Sequence, residues 1–351
     1  MISHQKKTSV GPKRLTIDDI AKMSGVSPTA VSFVLNGKNG ISAATREKVS
    51  EVIKATGFRP NASSRRLSFQ KSFNIALIYP SSASPFSDLY YYEISRGLTE
   101  RLSEADYNVV FTHLKSSGKS DALPRILLQR DADGAILLQD MDASLLSEID
   151  NLGIPFVMID IHTPDRTHTH VSVDSEKSIY VAVKYLIAHG HTRIAFCGSD
   201  WLPSYYLQCL TGYQNALAEH NLPIQPAWIQ KGANDRQGTE DCIDNILSCA
   251  EIPTAVCCVG DIHAIDAINA AKARGLSVPA DLSFISIDDI LLSRYIDPPL
   301  TTVGFDKPRM GQVAAELLLA KMTGAAVESV IVDSDQIIER KSVRSLTQVS
   351  S

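Results

Sequence analysis

Apolar and polar residues alternate with a helical period near the start of the chain, over residues 16–36. Thr16 stands where an N-cap is expected, with Asp19 three positions later as in a capping box. Gly25 interrupts the pattern, and Pro28 then occupies a first-turn position, where a missing N–H costs nothing. The apolar stripes comprise Ile17, Ile20 and Ala21 before the glycine, and Val31, Val34 and Leu35 after it. The pattern predicts two short helices joined by a tight turn, which is typical of a helix-turn-helix motif.

The second helix of such a motif enters the major groove of DNA. Because Val31 and Val34 face the core in this prediction, the opposite side of the helix faces outward. The outward residues of its first turns are Ser27, Pro28, Thr29 and Ser32. A third helix is predicted after Ser42, and it ends before Gly57. A small helical hairpin with no DNA-binding role is the alternative interpretation.

Charge is distributed unevenly along the chain. Residues 1–71 contain thirteen Lys or Arg and four Asp or Glu, a net charge of +9, whereas the remaining 280 residues carry a net charge of −14. Lys and Arg side chains that contact phosphates supply most of the non-specific affinity for DNA. The basic N-terminal part therefore favours DNA as a partner, and its patterned apolar residues argue against an entirely unstructured basic tail.

Short apolar runs alternate with helical patterns from about residue 74 onward. Examples are IALIY (75–79), GAILL (134–138), IAFCG (194–198) and FISID (284–288). This alternation predicts parallel sheets that are covered by helices on both faces. This segment is too long to fold around a single hydrophobic core, so we expect two α/β lobes. Ligands of open α/β sheets bind beyond the carboxyl ends of the strands, which predicts a site in the cleft between the lobes.

The order and spacing of several segments together are a more specific signal of relationship to known proteins than any single segment. They are TIDDIAKMSGVSPTAVSFVLNG (16–37), ISAATREKVSEVIKATGFRPNASSRRL (41–67), SPF (84–86), DGAILL (133–138), HTRIAF (191–196), GLSVPADLSFISIDD (275–289) and PPLTTV (298–303). Together they resemble the LacI/GalR family of bacterial repressors over nearly the whole chain. The resemblance implies an all-α helix-turn-helix headpiece with a hinge helix, followed by a periplasmic-binding-protein-like body of two doubly wound parallel-sheet lobes. It also implies a transcriptional repressor that binds a palindromic operator as a homodimer and senses a small molecule.

The resemblance also implies a domain organisation. The expected parts are a disordered basic tail (1–13), the headpiece (14–60), the hinge (61–72) and the body (73–346), with an N-lobe of residues 73–173 and 303–330 and a C-lobe of residues 174–302 and 331–346. The chain is expected to cross between the lobes near Val173, near Thr302 and around residue 330. A dimer rather than a tetramer is expected, because no leucine heptads follow Glu339.

Three headpiece positions are implied to read DNA bases. By resemblance, Pro28 and Thr29 occupy base-reading positions, and Phe33 stands where relatives usually have Arg. Arg reads guanine bidentately, whereas Phe offers only apolar contact, for instance with a thymine methyl group, so we expect a half-site without that guanine preference. Packing of Phe33 at the edge of the headpiece is an alternative of equal weight.

The remaining implied DNA contacts serve to position the protein or to bend the duplex. Leu67 matches the family's wedge residue, which unstacks a base step in the minor groove. The other candidates are Thr16, Ser32, Asn36 and Thr45 near the phosphates, Ser27 on the outward side of the second helix, Asn61 as a cap of the hinge helix, and Arg65 and Arg66 as backbone anchors.

The implied effector site is less complete than the DNA site. Its candidate residues are Ser84, Phe86, Asp160, Tyr206, Cys209, Ala233, Asp261 and Asp288. Carboxylates such as Asp160 and Asp261 suit polyol ligands because each accepts two or more hydrogen bonds. For Asp261 alone, a role as a helix or turn cap is the simpler interpretation. Cys209 and Ala233 stand where many relatives have an Arg and an aromatic residue.

Tyrosines provide a substitute for the missing aromatic surface. The available side chains are Tyr90, Tyr91, Tyr92, Tyr205 and Tyr206. This exchange fits a larger ligand such as a glycoside, and an effector-blind site is the alternative. The resemblance to the family, more than these residues, favours a sugar or glycoside as the effector. Whether the effector releases or promotes DNA binding is left open by the residues.

Signals for other functional classes are missing from the sequence. The N-terminal residues contain no apolar signal-peptide core, and no run reaches the roughly 18 apolar residues of a membrane span. No Walker A loop, GxSxG elbow or HExxH motif is present. We therefore expect no catalytic residues, no cofactor and no metal, in a bacterial cytoplasmic protein that joins the nucleoid when bound to DNA. A transport-type sugar-binding protein and a sugar-modifying enzyme are the rival classes.

The cysteines and a histidine cluster have simple expected roles. The six cysteines form no CxxC pair and are expected to be small buried apolar residues in a reducing compartment, with a redox-active Cys257–Cys258 pair as the alternative. His162, His168 and His170 near Asp165 are expected to form a solvated loop, with a metal site as the alternative.

Overall fold

A computed structural model of the protein describes residues 15–35, 37–58, 69–80, 83–116, 121–163 and 167–347. It divides into two compact units, Met1–Phe73 and Asn74–Ser351. The described part of the first unit contains helices α1 (Ile17–Ser24), α2 (Pro28–Leu35) and α3 (Ala43–Thr56). Its core consists of Ile20, Ala21, Val31, Val49 and Phe58.

The helix ends of the first unit confirm the predicted caps. The Thr16 hydroxyl accepts a hydrogen bond from the backbone N–H of Asp19 at 3.2 Å, and the Asp19 carboxylate accepts one from the N–H of Thr16 at 2.9 Å. Gly25 ends α1 with a φ of 61°, a left-handed conformation that glycine adopts without strain. Ser27 then accepts a hydrogen bond from the N–H of Ala30 at 3.2 Å at the start of α2.

The second unit is built on parallel strands. In chain order its described strands are β1 (Asn74–Tyr79), β2 (Asn108–His113), β3 (Lys115–Ser116), β4 (Asp121–Ala122), β5 (Gly134–Leu138), β6 (Phe156–Ile159), β7 (His170–Val173), β8 (Ile194–Ser199), β9 (Ile229–Gly232), β10 (Ala255–Cys258), β11 (Ser283–Ile287), β12 (Thr301–Gly304), β13 (Val330–Val332) and β14 (Gln336–Ile338). Two six-stranded sheets have the orders β13-β7-β6-β5-β1-β2 and β14-β12-β11-β10-β8-β9. Their pairings are parallel except for β12 with β14, and β3 with β4 forms a separate antiparallel pair.

Helices cover each sheet and so define two lobes. The first lobe contains α4 (Leu89–Glu104), α5 (Arg125–Leu128), α6 (Ala143–Leu152) and α11 (Lys307–Met322), and the second lobe contains α7 (Ser175–Ala188), α8 (Pro203–Glu219), α9 (Arg236–Leu247) and α10 (Asp261–Ala273). Short 3-10 turns occupy Pro226–Trp228 and Leu291–Arg294. Apolar clusters fill both faces of each sheet, as expected for buried parallel strands.

The chain passes between the two sheets of the body three times. The first passage follows β7, which ends at Val173, where it was expected. The second lies between Gly304 and Lys307, and the third between Val332 and Gln336. These two passages lie a few residues later than expected, because Val303 still pairs within the second sheet and β13 extends beyond residue 330.

The cysteines behave as small apolar residues. All six lie in the described part of the chain as free thiols, and five are buried, with Cys249 partly exposed. Cys257 and Cys258 lie in β10 and are inaccessible to solvent. In the described ranges no helix is both long and apolar enough to cross a membrane.

The histidine cluster differs from the solvated loop that was expected. His162 and His170 are only 2% and 3% exposed, because His170 begins β7 and His162 packs against aromatic rings of the second lobe. His168 is partly exposed and lies 2.9 Å from the Asp150 carboxylate. Asp165 lies outside the described residues. The described part of the chain contains no group of three side chains placed to hold a metal ion.

Two glycines let α4 and α11 approach closely in the first lobe. A Cβ atom on Gly97 would lie 1.9 Å from the carbonyl oxygen of Pro308, and one on Gly311 would lie 2.0 Å from that of Ile94. The obstructing atoms are backbone atoms, which cannot rotate away. Any side chain at either position must therefore push the two helices apart.

We predict that Gly311→Ala destabilises the first lobe by about 1–3 kcal/mol, the usual cost of overpacking a core. The free energy of unfolding in urea measures this change. Glu316→Ala is the matched control on the same helix, because it removes only a surface ion pair with Arg309. Unchanged stability of Gly311→Ala would contradict the close helix approach.

His191 joins three segments of the second lobe in its neutral form. Its Nε2 donates to the Arg344 carbonyl at 3.0 Å, and its Nδ1 lies 2.8 Å from the Thr254 hydroxyl. The ring is fully buried, and burial lowers the pKa of His191 to about 4. An unfolded histidine has a pKa of about 6.5, so the unfolded chain takes up this proton first on acidification.

The free energy of unfolding is therefore predicted to fall as the pH drops from about 6.5 towards about 4, because His191 is neutral in the folded state and charged in the unfolded state. Urea titrations at several pH values measure this loss. His191→Gln should flatten part of the pH dependence, whereas His220→Gln at an exposed helix end should retain it. Identical pH profiles for wild type and His191→Gln would refute the assignment.

Candidate functional site

The N-terminal end of α2 presents polar side chains to solvent. Ser27, Pro28 and Thr29 are exposed, whereas Val31 on the opposite side is completely buried. Ser32 is partly exposed one turn further along. A helix with one face in the core and a short polar face outward can dock in a groove without losing its packing.

Phe33 has intramolecular contacts in the first unit. Its ring lies against the loop after α2, where a Cβ atom on Gly40 would be 3.5 Å from the ring. The Lys38 ammonium group lies 6.0 Å from the ring centroid, and the Phe33 ring is half-buried. The packing alternative is therefore observed, and the part of the ring that remains exposed is still available to a base.

Two more candidates are located at helix starts. Thr16 is exposed at the cap of α1, and Thr45 is partly exposed with its hydroxyl 2.9 Å from that of Ser42. The remaining candidates lie outside the described residues: Asn36, Asn61, Arg65, Arg66 and Leu67.

A cavity of about 260 Å³ lies between the two lobes of the body. Aromatic side chains from both lobes line it, namely Tyr90, Tyr91 and Phe305 from the first and Trp201 and Tyr205 from the second. Its described carboxylates are Asp88, Asp160, Asp235, Asp266 and Asp288, and its described basic side chains are Arg236, His162 and His263. Most of these residues follow the carboxyl ends of strands, where parallel sheets place their ligand sites.

Asp160 forms the centre of the first-lobe wall. It follows β6 in a left-handed conformation, with a φ of 62°. The hydroxyls of Tyr90 and Tyr91 donate to its two carboxylate oxygens, and Gln139 donates to the Tyr91 hydroxyl. Burial opposes ionisation of Asp160, but the nearby His162 and the two hydroxyls outweigh it and lower its pKa.

His162 extends from the first lobe towards the second. Its ring centroid lies 4.8 Å from that of Tyr205 and 6.1 Å from that of Trp201. Its Nε2 lies 3.3 Å from the Asp160 carboxylate, and its backbone carbonyl accepts a hydrogen bond from Gln208 at 3.0 Å. Burial disfavours the charged ring, but the Asp160 carboxylate outweighs burial and raises the pKa of His162.

Asp288 lies on the second-lobe wall after β11. Its φ of 110° is rare for a residue with a side chain and indicates local strain. Burial first, and then the carboxylates of Asp261, Asp160 and Asp88, raise its pKa well above the usual range. Lys307, on α11 of the first lobe, donates hydrogen bonds to the backbone carbonyls of Asp288 and Asp289.

Asp261 is a correction to the sequence-based expectation. Its carboxylate does not line the cavity among the described residues, because protein groups already surround it. It accepts hydrogen bonds from Ser286 (2.5 Å), Thr302 (2.6 Å), Ser293 (2.5 Å) and the N–H of Ile290 (2.8 Å). The residue is completely buried at the start of α10, and burial raises its pKa. Asp261 therefore supports the cavity wall through these hydrogen bonds and does not itself line the cavity.

The other expected effector residues are also placed away from the described cavity wall. Cys209 is fully buried in the second-lobe core, and Tyr206 packs beneath the Lys231 ammonium group at 4.7 Å from its ring centroid. Ala233 is exposed, one position before the cavity-lining Asn234, Asp235 and Arg236. Ser84 is half-buried, and Phe86 is 72% exposed with its ring against Phe111. Among the eight candidates, Asp160 and Asp288 line the cavity.

Sequence reasoning missed several lining residues that a general rule would have found. Trp201 follows β8, and His263 and Asp266 lie in the first turns after β10, so all three are near carboxyl ends of strands. Asp88 caps α4 through the N–H of Tyr90 at 2.9 Å, immediately before the tyrosine run. Tyr90, Tyr91 and Tyr205 line the cavity, whereas Tyr92 is 54% exposed and does not.

Two protein-family models match this chain. The model described as bacterial regulatory proteins, lacI family, matches residues 16–61. The model of a periplasmic binding protein-like domain matches residues 183–343. The two matches fall on the helical unit and on the body, respectively.

Relatives match over nearly the whole length. The HTH-type transcriptional repressor PurR of Aliivibrio salmonicida (strain LFI1238) is 32% identical over 336 residues, which cover 94% of this chain and 99% of the relative. A structure of the transcriptional regulator CelR–cellobiose complex aligns with a TM-score of 0.69 at 26% identity, covering 94% of this chain and all of the other. The Lac repressor dimer bound to operator and the anti-inducer ONPF has the same fold, with a TM-score of 0.78, 24% identity, and coverage of 95% and 100%.

The relatives that match from end to end are transcriptional repressors and not enzymes. The protein therefore belongs to the lacI family of bacterial regulatory proteins: it is a DNA-binding transcriptional repressor with an effector-binding body.

Proposed function

We propose that this repressor binds a palindromic operator as a homodimer and that a carbohydrate or glycoside in the cavity between its lobes controls that binding. The composition of the cavity wall carries the effector part of the proposal. Aromatic rings offer apolar faces to a sugar ring, and carboxylates accept hydrogen bonds from its hydroxyls. Among its described residues the wall has five aspartates and one arginine, which makes it poorly suited to an anionic ligand such as a sugar acid.

The cavity is built to couple a ligand to the arrangement of the lobes. Asp160 comes from the first lobe and Asp288 from the second, so a ligand that touches both stabilises one relative position of the lobes. Such coupling requires only that the ligand binds one arrangement of the lobes more tightly than the other, by on the order of 1–3 kcal/mol. A change in the lobes would then alter the hinge segment, residues 61–72, and through it the two headpieces of the dimer.

The relatives support this proposal by what their descriptions state. The CelR structure is a complex with cellobiose, and the Lac repressor structure is a dimer bound to operator. We propose the same kinds of partner for this chain, in the bacterial cytoplasm and on the nucleoid. The transport-type and enzymatic alternatives lose support, because the repressor PurR matches 94% of the chain.

On DNA, we propose that the exposed Pro28 and Thr29 meet base edges, and that neighbouring hydroxyls meet phosphates. Phe33 contributes its exposed edge, for apolar contact with a thymine methyl group. Leu67 is proposed as the wedge in the minor groove, and the neighbouring Arg65 and Arg66 are proposed to anchor to the DNA backbone. The remaining proposed contacts are Thr16, Ser27, Ser32, Asn36, Thr45 and Asn61.

A thermal-shift screen of the full chain against sugars, glycosides, nucleosides and sugar acids tests the effector proposal. We expect a sugar or glycoside to raise the melting temperature, since ligand at 100 times Kd adds about 2.7 kcal/mol to stability. Trp201→Ala should abolish the shift, whereas Tyr295→Ala, which removes a ring that is 73% exposed outside the cavity wall, should keep it. A shift with nucleosides alone would contradict the carbohydrate assignment.

Selection of binding sites from random DNA tests the headpiece proposal. The wild-type chain should select a two-fold symmetric site without guanine at the position that faces Phe33, because a phenyl ring cannot read O6 and N7. Phe33→Arg should introduce guanine there with a discrimination of about 1–3 kcal/mol, whereas Phe33→Ala should not. Strong selection of guanine by the wild type would refute the proposed role of Phe33. A selected site without two-fold symmetry would refute the palindromic operator.

A further inference from the structure

The wall of the cavity carries an excess of acidic side chains. Among its described residues, five aspartates face one arginine and two histidines, and one of these histidines, His162, pairs with Asp160. Arg236 is 72% exposed and is paired with Glu240 at 2.7 Å, so it does little to neutralise the interior. Lys307 lies behind the wall with its ammonium group on backbone carbonyls. A ligand that carries positive charge therefore meets attraction here, whereas an anionic ligand meets repulsion.

The aspartates differ in how far their own surroundings satisfy them. Asp160 accepts from two tyrosine hydroxyls, Asp88 from the N–H of Tyr90, and Asp235 from the N–H of Gly238. In the described part of the chain, the Asp288 carboxylate has neither a hydrogen-bond donor nor an ion-pair partner. Its oxygen would lie 3.2 Å from a Cβ atom on Gly260, so the missing side chain at Gly260 leaves it accessible from the cavity. Asp288 thus has a half-buried carboxylate without a partner among the described residues, on a strained backbone, a combination typical of binding sites.

A second unsatisfied group faces the same cavity. His162 is 2% exposed, and its Nδ1 has no hydrogen-bond partner among the described residues. The Asp160 carboxylate lies 3.3 Å from Nε2 and favours the charged form of the ring, in which Nδ1 is a donor. Buried donors in native proteins are almost always paired, so this N–H calls for an acceptor atom on the ligand.

We propose that the effector is an amino sugar, whose ammonium group pairs with Asp288 and whose hydroxyl oxygen accepts a hydrogen bond from His162. This assignment rests on the proposed function and specifies its ligand class. The Trp201 and Tyr205 rings, with centroids 5.5 Å apart, supply the apolar surface on which the sugar ring packs. A neutral sugar would leave the Asp288 carboxylate without a charged partner, which favours binding of the amine.

Calorimetric titration of the full chain with matched sugars at neutral pH tests the assignment. The probes are glucosamine, galactosamine, glucose, galactose, N-acetylglucosamine and glucuronate. At least one amino sugar should bind about tenfold or more tightly than its neutral counterpart, and glucuronate should not bind. Asp288→Asn should remove the preference for the amine, and Asn tolerates the positive φ of this position. Asp241→Asn, at an exposed position of α9, is the charge-matched control and should retain it.

Gly260→Ala serves as an independent variant, because it crowds the Asp288 carboxylate without removing its charge. It should weaken amino-sugar binding, and its own φ of 177° is open to any residue. Equal or tighter binding of the neutral sugars would overturn the amine assignment and leave the carbohydrate proposal standing. Binding of none of the six probes would count against both.

Discussion

The buried carboxylate of Asp261 organises the part of the second lobe on which the cavity depends. Its four hydrogen-bond donors come from β11, β12 and the turn that follows Asp288 and Asp289. A buried carboxylate is tolerated only with such complete pairing, because each lost donor leaves charge or polarity without solvent. The network thereby fixes the turn and holds Asp288 in its strained conformation at the cavity wall. Asp261, which is not among the cavity-lining residues, in this way fixes the position of Asp288, which is.

Side chains of the first lobe contact the second lobe at two places around the cavity. His162, on the cavity wall, packs against Trp201 and Tyr205. Lys307, outside the wall, donates a hydrogen bond to the backbone carbonyl of Asp288. Closely packed α4 and α11 make the first lobe a firm support for Lys307, because Gly97 and Gly311 leave no space between the helices. A ligand between the lobes therefore acts on a small number of defined contacts, which is the physical requirement for a two-state response.

Local sequence signals predicted the helical unit and the sheet architecture well. The capping box at Thr16, the glycine at position 25 and the apolar stripe through Val31 are contained within a few residues, so no tertiary information is needed. The site was predicted less well, since Asp261 and Cys209 were expected in the effector site but are completely buried in the protein interior. Side-chain direction at strand ends depends on neighbouring strands far away in sequence, and an isolated sequence pattern does not contain that information.

The central claim is that occupancy of the cavity changes the affinity of the repressor for its operator. An anisotropy titration of the selected operator with the full chain, with and without the ligand that raises its melting temperature, tests this directly. Saturating ligand should shift the operator Kd by about 5- to 150-fold, and Trp201→Ala should abolish the shift. Superimposable titration curves with and without a ligand that binds the cavity would contradict it.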